Sequence, residues 1–457
     1  MSYNIKSMRL SLDLMLGRAL RNRNYRLFFV GHGTSLIGTW MQQVAMGWLI
    51  LPLIDDPRLQ TLWLGLIGFI GQIPTFLLTP LAGVMADRWN RRWLLLTTQS
   101  LAMVQAFILA ALVYAGWVKP WHLIPLSVAL GFSNAFDMPV RQAFIIDLVA
   151  QKEHLANAIA LNSALVNLSR LIGPALAGLL IVATGGKTIP QQIHGTGICF
   201  LFNGVSYLAL IAAILIMRLP PQQRPTAAGN LLGGIIEGFA YVRRHRPIRA
   251  ILLLIAAVSF VGFPYITLMP KVVHDVLQRQ ASAQGFLMAT TALGALAAVI
   301  YLSTRRTHHG LLDLMKIAAC TMGLGLILFA LAPHLSHRFG LTPHFAYYLS
   351  LAIMPLIGFG TIANLATGIT LLQTLADDDK RGRVMSFYTL AFIGTGPFGS
   401  LAVGVIAQPH WLGLMPTIFV EGLLCLLAGF VFARGLRAIR PLAEPVLAEK
   451  NLDPISS

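Results

Sequence analysis

The chain has 457 residues, of which 56% are hydrophobic and only 11% charged, with a mean hydropathy of +0.70. So little polar side chain cannot clothe a water-soluble body, which excludes the ordinary soluble enzyme and binding-module classes. The formal net charge of +17 is then a question of where 34 Lys and Arg fall around apolar segments, and a nucleic-acid partner is not needed to explain it.

Crossing about 30 Å of hydrocarbon takes roughly 20 apolar residues. Twelve runs qualify, near 27–53, 62–86, 93–116, 121–148, 157–184, 196–218, 248–274, 284–303, 312–332, 345–374, 384–407 and 412–434. They are continuous stretches and not short alternating ones, so they predict helices, each satisfying its own backbone hydrogen bonds in lipid. The expected class is an all-α polytopic membrane protein of twelve transmembrane helices in two six-helix bundles. With an even number of spans both termini share a side; that side holds 26 of the 34 Lys and Arg and the opposite side six, which predicts cytoplasmic termini and contact with membrane lipids.

The lead-in MSYNIKSMRLSLDLMLGRALRNRNYRLFF is basic but lacks a small-residue cleavage site and reads as uncleaved. Span one carries His32, Thr34, Ser35, Thr39, Gln42 and Gln43, too many polar groups for a lipid-facing helix, and these are expected to line a substrate cavity. His32 is a candidate proton site, since a histidine titrates near neutrality.

Spans two and three are joined by GVMADRWNRR, residues 83 to 92. Gly83 permits close helix approach, Asp87 can accept from donors at a helix N-terminus, and Arg88 and Arg92 can reach a carboxylate such as Asp147 at the end of span four. Together they predict a conformational latch; positive-inside topology alone would explain Arg91 and Arg92 but not an Asp beside them.

Span four contains NAFDMPVRQAF, with Asp137 and Arg141 one turn apart around Pro139; span five contains Arg170 and the sequence GPALAG. An unpaired charge near the bilayer centre costs about 2.5–3.5 kcal/mol or more, so Asp137, Arg141 and Arg170 are expected to face inward and be paired. They form either a proton carrier with anion-binding arginines or a permanent salt bridge between spans four and five. Gly173, Pro174 and Gly178 provide close packing and a helix bend.

After span six the composition turns to LPPQQRPTAAGN and then LLGGIIEGFAYVRRHRP, where Leu232, Ile235, Ile236, Phe239 and Val242 recur at helical spacing beside a basic end. This predicts a linker at 219–247 with an interfacial helix, separating bundles at 1–218 and 248–440, with a tail at 441–457. A long-period repeat supports two halves. Gly131-Phe132 returns as Gly358-Phe359 and Gly173-Pro174 as Gly396-Pro397, a register that matches Asp137 with Asn364, a further cavity candidate. Cys199, Cys320 and Cys425 follow no ligand spacing, His334, His337 and His344 are assigned to a solvated outer loop, and no metal or cofactor is expected. Glu421 in span twelve has no assigned role.

The loop GVMADRWNRR resembles the Gly-x-x-x-Asp-Arg-x-x-x-Arg signature of the major facilitator superfamily. NYRLFFVGHGTSLIGTWMQQVA, NAFDMPVRQAF, NAIALNSALVNLSRLIGPALAGLL and FPYITLMP resemble the bacterial subfamily that includes the enterobactin exporter and related efflux proteins. The resemblance implies alternating access by two rocking bundles, usually driven by protons, in the bacterial inner membrane. GPALAG is similar to the Gly-Pro element of proton-coupled exporters, with Ala177 where a second Gly is common. The reading is a monomeric proton-coupled exporter of a small organic molecule, not an enzyme, with an anionic siderophore or related metabolite as the substrate suggested by two arginines against one aspartate. The alternatives are a broad drug-efflux pump, a lysophospholipid flippase and a non-transporting receptor.

Overall fold

A computed structural model describes residues 19–149, 154–185, 189–218, 231–305, 310–378 and 380–452. Fifteen α-helices follow one another with no strand among the described residues. They are α1 (Arg23–Leu53), α2 (Pro57–Arg88), α3 (Arg91–Tyr114), α4 (Pro120–Leu148), α5 (Leu155–Gly185), α6 (Ile189–Ile216), α7 (Leu231–Arg244), α8 (Arg246–Gly262), α9 (Tyr265–Lys271), α10 (Ala281–Thr304), α11 (Leu311–Arg338), α12 (Pro343–Leu375), α13 (Arg381–Ile393), α14 (Gly396–Ile406) and α15 (Leu414–Leu452). Twelve segments among them are long and apolar enough to cross a membrane. Each overlaps one predicted run.

The differences from the predicted runs have local causes. Span seven is interrupted after Gly262, where Pro264 cannot donate into the helix; α9 follows, and a π-turn over Val272–Val276 ends the span. Span eleven breaks between α13 and α14 at Gly394–Thr395, just before Pro397. Helix α11 continues to Arg338, so His334 and His337 lie on its last turns and not in an outer loop. Only His344 is near a loop, in contact with Arg279. Helix α15 runs on to Leu452 through the stretch expected as a tail.

The chain forms two compact units, one from Met1–Leu53 and Leu77–Thr226, the other from Ile54–Phe76 and Ala227–Ser457. In the first unit α1 packs on α5 and α6, and α3 on α4 and α6. The end of this unit near Tyr25 holds a continuous apolar cluster that includes Tyr25, Phe28, Leu95, Phe144, Leu148 and Ile214. In the second unit α12 packs on α10 and α11, and α15 on α11 and α8.

Without a water-driven hydrophobic effect between spans, close backbone approach and dispersion hold such helices together. Gly294 of α10 faces the carbonyl of Pro355, and Gly358 of α12 faces that of Thr291, each with no room for a Cβ. Gly323 and Gly422 oppose one another in the same way, a Cβ on either lying 2.7 Å from the other's carbonyl oxygen.

The helix expected to be interfacial corresponds to α7, whose described part is tied to neighbouring elements. Ile236 and Phe239 are exposed and Val242 is buried, whereas the side chains of Leu232 and Ile235 lie outside the described residues. Glu237 pairs with Lys380, and with Arg383 of α13 at 2.5 Å. Tyr241 Oη accepts from the Asp377 amide at 3.1 Å.

Two outcomes follow from these contacts. Gly358→Val should separate α10 from α12 and destabilise the second unit by about 1–3 kcal/mol, read as earlier thermal unfolding in detergent. The hydrogen bonds from Lys380 and Arg383 hold the Glu237 carboxyl well below its ordinary 4.5, at about 2. A depressed carboxylate supports the docked form above its free value and loses that support as pH falls toward its folded one. The α7 contact should therefore be unchanged above about pH 5 and loosen between 4.5 and about 2. Hydrogen exchange across α7 measures this, and Glu237→Gln should show the loosened exchange already at neutral pH.

Candidate functional site

Helix α4 begins with Pro120 at its first turn and carries Pro125 and Pro139 inside. Pro139 donates no backbone hydrogen bond, so the Ala135 carbonyl loses its helical donor in the turn that bears Asp137 and Arg141. Four residues apart, those two side chains share a face, and Arg141 Nη2 donates to Asp137 Oδ2. Gln99 of α3 donates to Asp137 Oδ1 at 2.5 Å. Arg141 Nη1 stands 3.0 Å from Nδ1 and 3.1 Å from Nε2 of His32 on α1, so either ring nitrogen can accept from it. His32 is fully enclosed, its ring 5.1 Å from that of Phe28.

Three helices thus bring one acid, one guanidinium, one imidazole and one amide together in a buried pocket of the first unit. Arg141 Nε and Gln99 Oε1 are buried with no hydrogen-bond partner among the described residues. The cluster is charge-paired yet keeps spare hydrogen-bonding capacity.

The structure corrects several expectations about this region. The ion pair lies within α4, not between spans four and five. Arg170 of α5 instead sits over the Trp40 ring of α1 at 5.1 Å, a cation–π contact. Gln42 does not line a cavity: it is 2% exposed, donates to Gln105 Oε1 at 2.9 Å and accepts from Asn203 at 2.7 Å, joining α1, α3 and α6. Thr39 bonds the Ser35 carbonyl at 2.9 Å and approaches Tyr207 Oη at 3.3 Å, whereas Gln43 is exposed. Asn364 is likewise enclosed, its amide donating to the Met315 carbonyl at 3.2 Å. Polar groups in these spans turn toward partners within their own bundle because an unpaired amide in an apolar medium is costly.

Gly173 is a contact point: a Cβ there would stand 2.5 Å from Trp40 Cβ and 2.9 Å from the Ile37 carbonyl. Gly178 is buried, and α5 runs unbroken through Pro174. The equivalent Gly396-Pro397 follows a break in span eleven.

At the loop after α2, the side chains of Gly83, Asp87 and Arg88 lie outside the described residues. The arginine that meets Asp147 is Arg91, with Nη1 at 2.9 and 3.0 Å from the two carboxylate oxygens. Arg92 instead donates to the Leu215 carbonyl at 2.8 Å, satisfying an orphan acceptor at the end of α6. Asn90 caps α3 by accepting from the amides of Arg92 and Trp93. Helix direction decides the exchange, because residues 91 and 92 open α3 and point to different neighbours.

Sequence reasoning also missed Gln99, Gln105, Asn203 and Trp40. The two glutamines could have been found as polar interruptions of the apolar run LLLTTQSLAMVQAF.

Residues 18–445 match the family described as transmembrane secretion effector. The chain belongs to that family, within the major facilitator superfamily. Curated relatives cover nearly the whole fold. A staphyloferrin A transporter of Staphylococcus aureus is 25% identical over 89% of this chain and 95% of its own. The multidrug efflux pump Tap of Mycolicibacterium fortuitum is 24% identical over 90% and 96%. Among solved structures, a bacterial homologue of the iron transporter ferroportin in an inward-facing state superposes with a TM-score of 0.67 at 20% identity, covering 90% of this chain and 98% of that one. A POT family transporter in complex with 5-aminolevulinic acid gives 0.69 at 13%, covering 92% and 97%. The family member described here is thus a multi-pass secondary transporter of the efflux type, acting on small molecules.

The Arg91–Asp147 pair is part exposed, with side chains 16% and 34% accessible. Such pairs contribute little to stability, so Arg91→Gln should change unfolding by less than about 1 kcal/mol. Membrane yield and melting of the variant check this directly.

Proposed function

We propose that this transporter exports a small anionic molecule, of the carboxylate siderophore kind, in exchange for protons. The observation that carries the reading is the cluster of Asp137, Arg141, His32 and Gln99. A guanidinium bound to a carboxylate is masked as an anion receptor. Protonation of Asp137 unmasks Arg141, and an arriving anion that takes the guanidinium favours return of the carboxylate and loss of its proton. Arg170 on the Trp40 ring offers a second cation. His32, facing the same guanidinium, is the alternative proton carrier.

The staphyloferrin A transporter among the relatives supports an anionic siderophore as the substrate. The drug pumps among them favour a broader efflux specificity as the second reading. The distribution of Lys and Arg supports cytoplasmic termini in a bacterial inner membrane, and each bundle's own internal packing supports action as a monomer. Residues 83 to 92 together with Asp147 are proposed as the conformational latch, with Arg91 as the partner of Asp147.

Reconstituted vesicles under an imposed proton gradient test the mechanism, with staphyloferrin A and ethidium as probes. Accumulation of the first and not the second supports the anion reading, and the reverse supports drug efflux. Asp137→Asn should abolish gradient-driven accumulation and spare downhill counterflow. Undiminished uphill transport by the Asn variant moves the coupling role to His32. Neutral replacement of Arg141 or Arg170 should raise the substrate concentration needed for half-maximal transport.

A further inference from the structure

A second buried acid lies in the other unit. Glu421 of α15 is 3% exposed, and neither carboxylate oxygen has a hydrogen-bond partner among the described residues. It stands seven residues into the helix, about 10 Å from its start at 1.5 Å per residue, which is well inside an apolar layer. Thr417 and Cys425, one turn to either side, are buried on the same face. Thr417 is committed to the Gly413 carbonyl at 2.6 Å and offers Glu421 no donor.

Among the described residues, the neighbouring helices supply no counter-charge at that level. Away from the charged ends, the titratable groups on the packed elements include Cys425 on α15 itself, Cys320 on α11 and the buried Tyr265 that opens α9. Charges of the surrounding elements sit at their ends. Arg246 and Arg249 begin α8, and Asp313 and Lys316 begin α11. His334, His337 and Arg338 close α11, His344 opens α12, and Lys271 at the end of α9 is paired with Asp275 at 2.6 Å and Gln60 at 2.5 Å. An ionised carboxylate with no donor and no cation in apolar surroundings is the costliest arrangement available to this side chain.

A second, independent observation is the irregular backbone beside this position. A Cβ on Gly262 would lie 2.9 Å from Cys425 Sγ and 2.7 Å from Met322 Cε, so α8, α11 and α15 meet where α8 ends. Spans seven and twelve run in opposite directions. One turn back along α15 from Cys425, which is Glu421, therefore corresponds to about one turn beyond Gly262 on span seven, near Ile266, in the turns that follow the interruption at Phe263 and Pro264. There the helical ladder is replaced by tight turns, Ile266 to Phe263 at 3.2 Å and Thr267 to Pro264 at 2.8 Å. Pro264 also leaves the Phe260 carbonyl without its helical donor. Broken backbone at membrane depth is tolerated where it adjoins protein or a polar path.

We propose that Glu421 is a reversible proton-binding site of the C-terminal bundle, reached through the interruption of span seven. The step is the transfer of one proton between the carboxyl oxygen and a water molecule in that interruption, with the carboxylate forming as the water is protonated. As a participant in transport, though not as a site, it rests on the proton-exchange reading above.

Infrared spectroscopy of the purified protein in lipid nanodiscs tests it without any substrate. The wild-type spectrum minus that of Glu421→Gln should contain one carboxylic-acid carbonyl band at neutral pH. That band should shift on transfer to deuterated buffer, and Glu421→Asp, which keeps an acid if the Gln protein proves unstable, should retain a displaced band with the same exchange. Loss of no acid band overturns the proposal, because Glu421 is then ionised. A band that never shifts overturns it too, because the proton is then sealed in. If wild-type vesicles fail to accumulate either probe under a proton gradient while the band is present and exchanges, the transport reading fails and the site stands.

Discussion

Everything in the first bundle is arranged around the difficulty of keeping the Asp137–Arg141 pair in a medium that cannot solvate it. Desolvating two charges costs several kcal/mol per ion even after relaxation, and their mutual attraction compensates only when the remaining lone pairs and protons are engaged. Gln99 from α3 and His32 from α1 perform part of that engagement, with Arg141 Nε left without a partner among the described residues. The apolar cluster around Tyr25, Phe28 and Phe144 packs beside this site, with Phe28 touching both His32 and Phe144.

The same constraint explains the second bundle by contrast. It has no buried ion pair at the matching position, where Asn364 bonds a backbone carbonyl, and it relies more on glycine contacts such as Gly294, Gly358, Gly323 and Gly422. Its polar irregularities are in the backbone: the interruptions of spans seven and eleven. They meet through Ser259, which donates to the Phe392 carbonyl at 2.5 Å, and Thr395, which donates to that of Ala256 at 3.2 Å. One bundle carries its polarity on side chains, the other largely on main chain.

The twelve spans were legible because length and continuity of apolar residues are nearly sufficient for a membrane helix. So was the adjacency of Asp137 and Arg141, a local consequence of four-residue spacing. What was not legible was partnership across helices. Arg170 and Arg141 look equivalent as lone cations in apolar runs, yet rotation of α5 about its axis gives one an aromatic face and that of α4 gives the other a carboxylate. Arg91 and Arg92 are adjacent, and the 100° turn between them sends one to Asp147 and the other to Leu215. Gln42 and Asn364 were read as cavity groups because polarity in a span is visible in one dimension and direction is not. Glu421 was visible as an acid in span twelve, but its solitude appears only once the neighbours are in place.

The amide network of Gln42, Gln105 and Asn203 bears on the proton exchange proposed for the first bundle. Amides do not titrate, and this chain of them links α1, α3 and α6 in the same unit that holds Asp137. Cohesion and titration are therefore assigned to chemically different groups. On the proposed exchange, protonation of Asp137 would leave these amide links between the helices in place, so the unit would change charge while keeping its internal contacts.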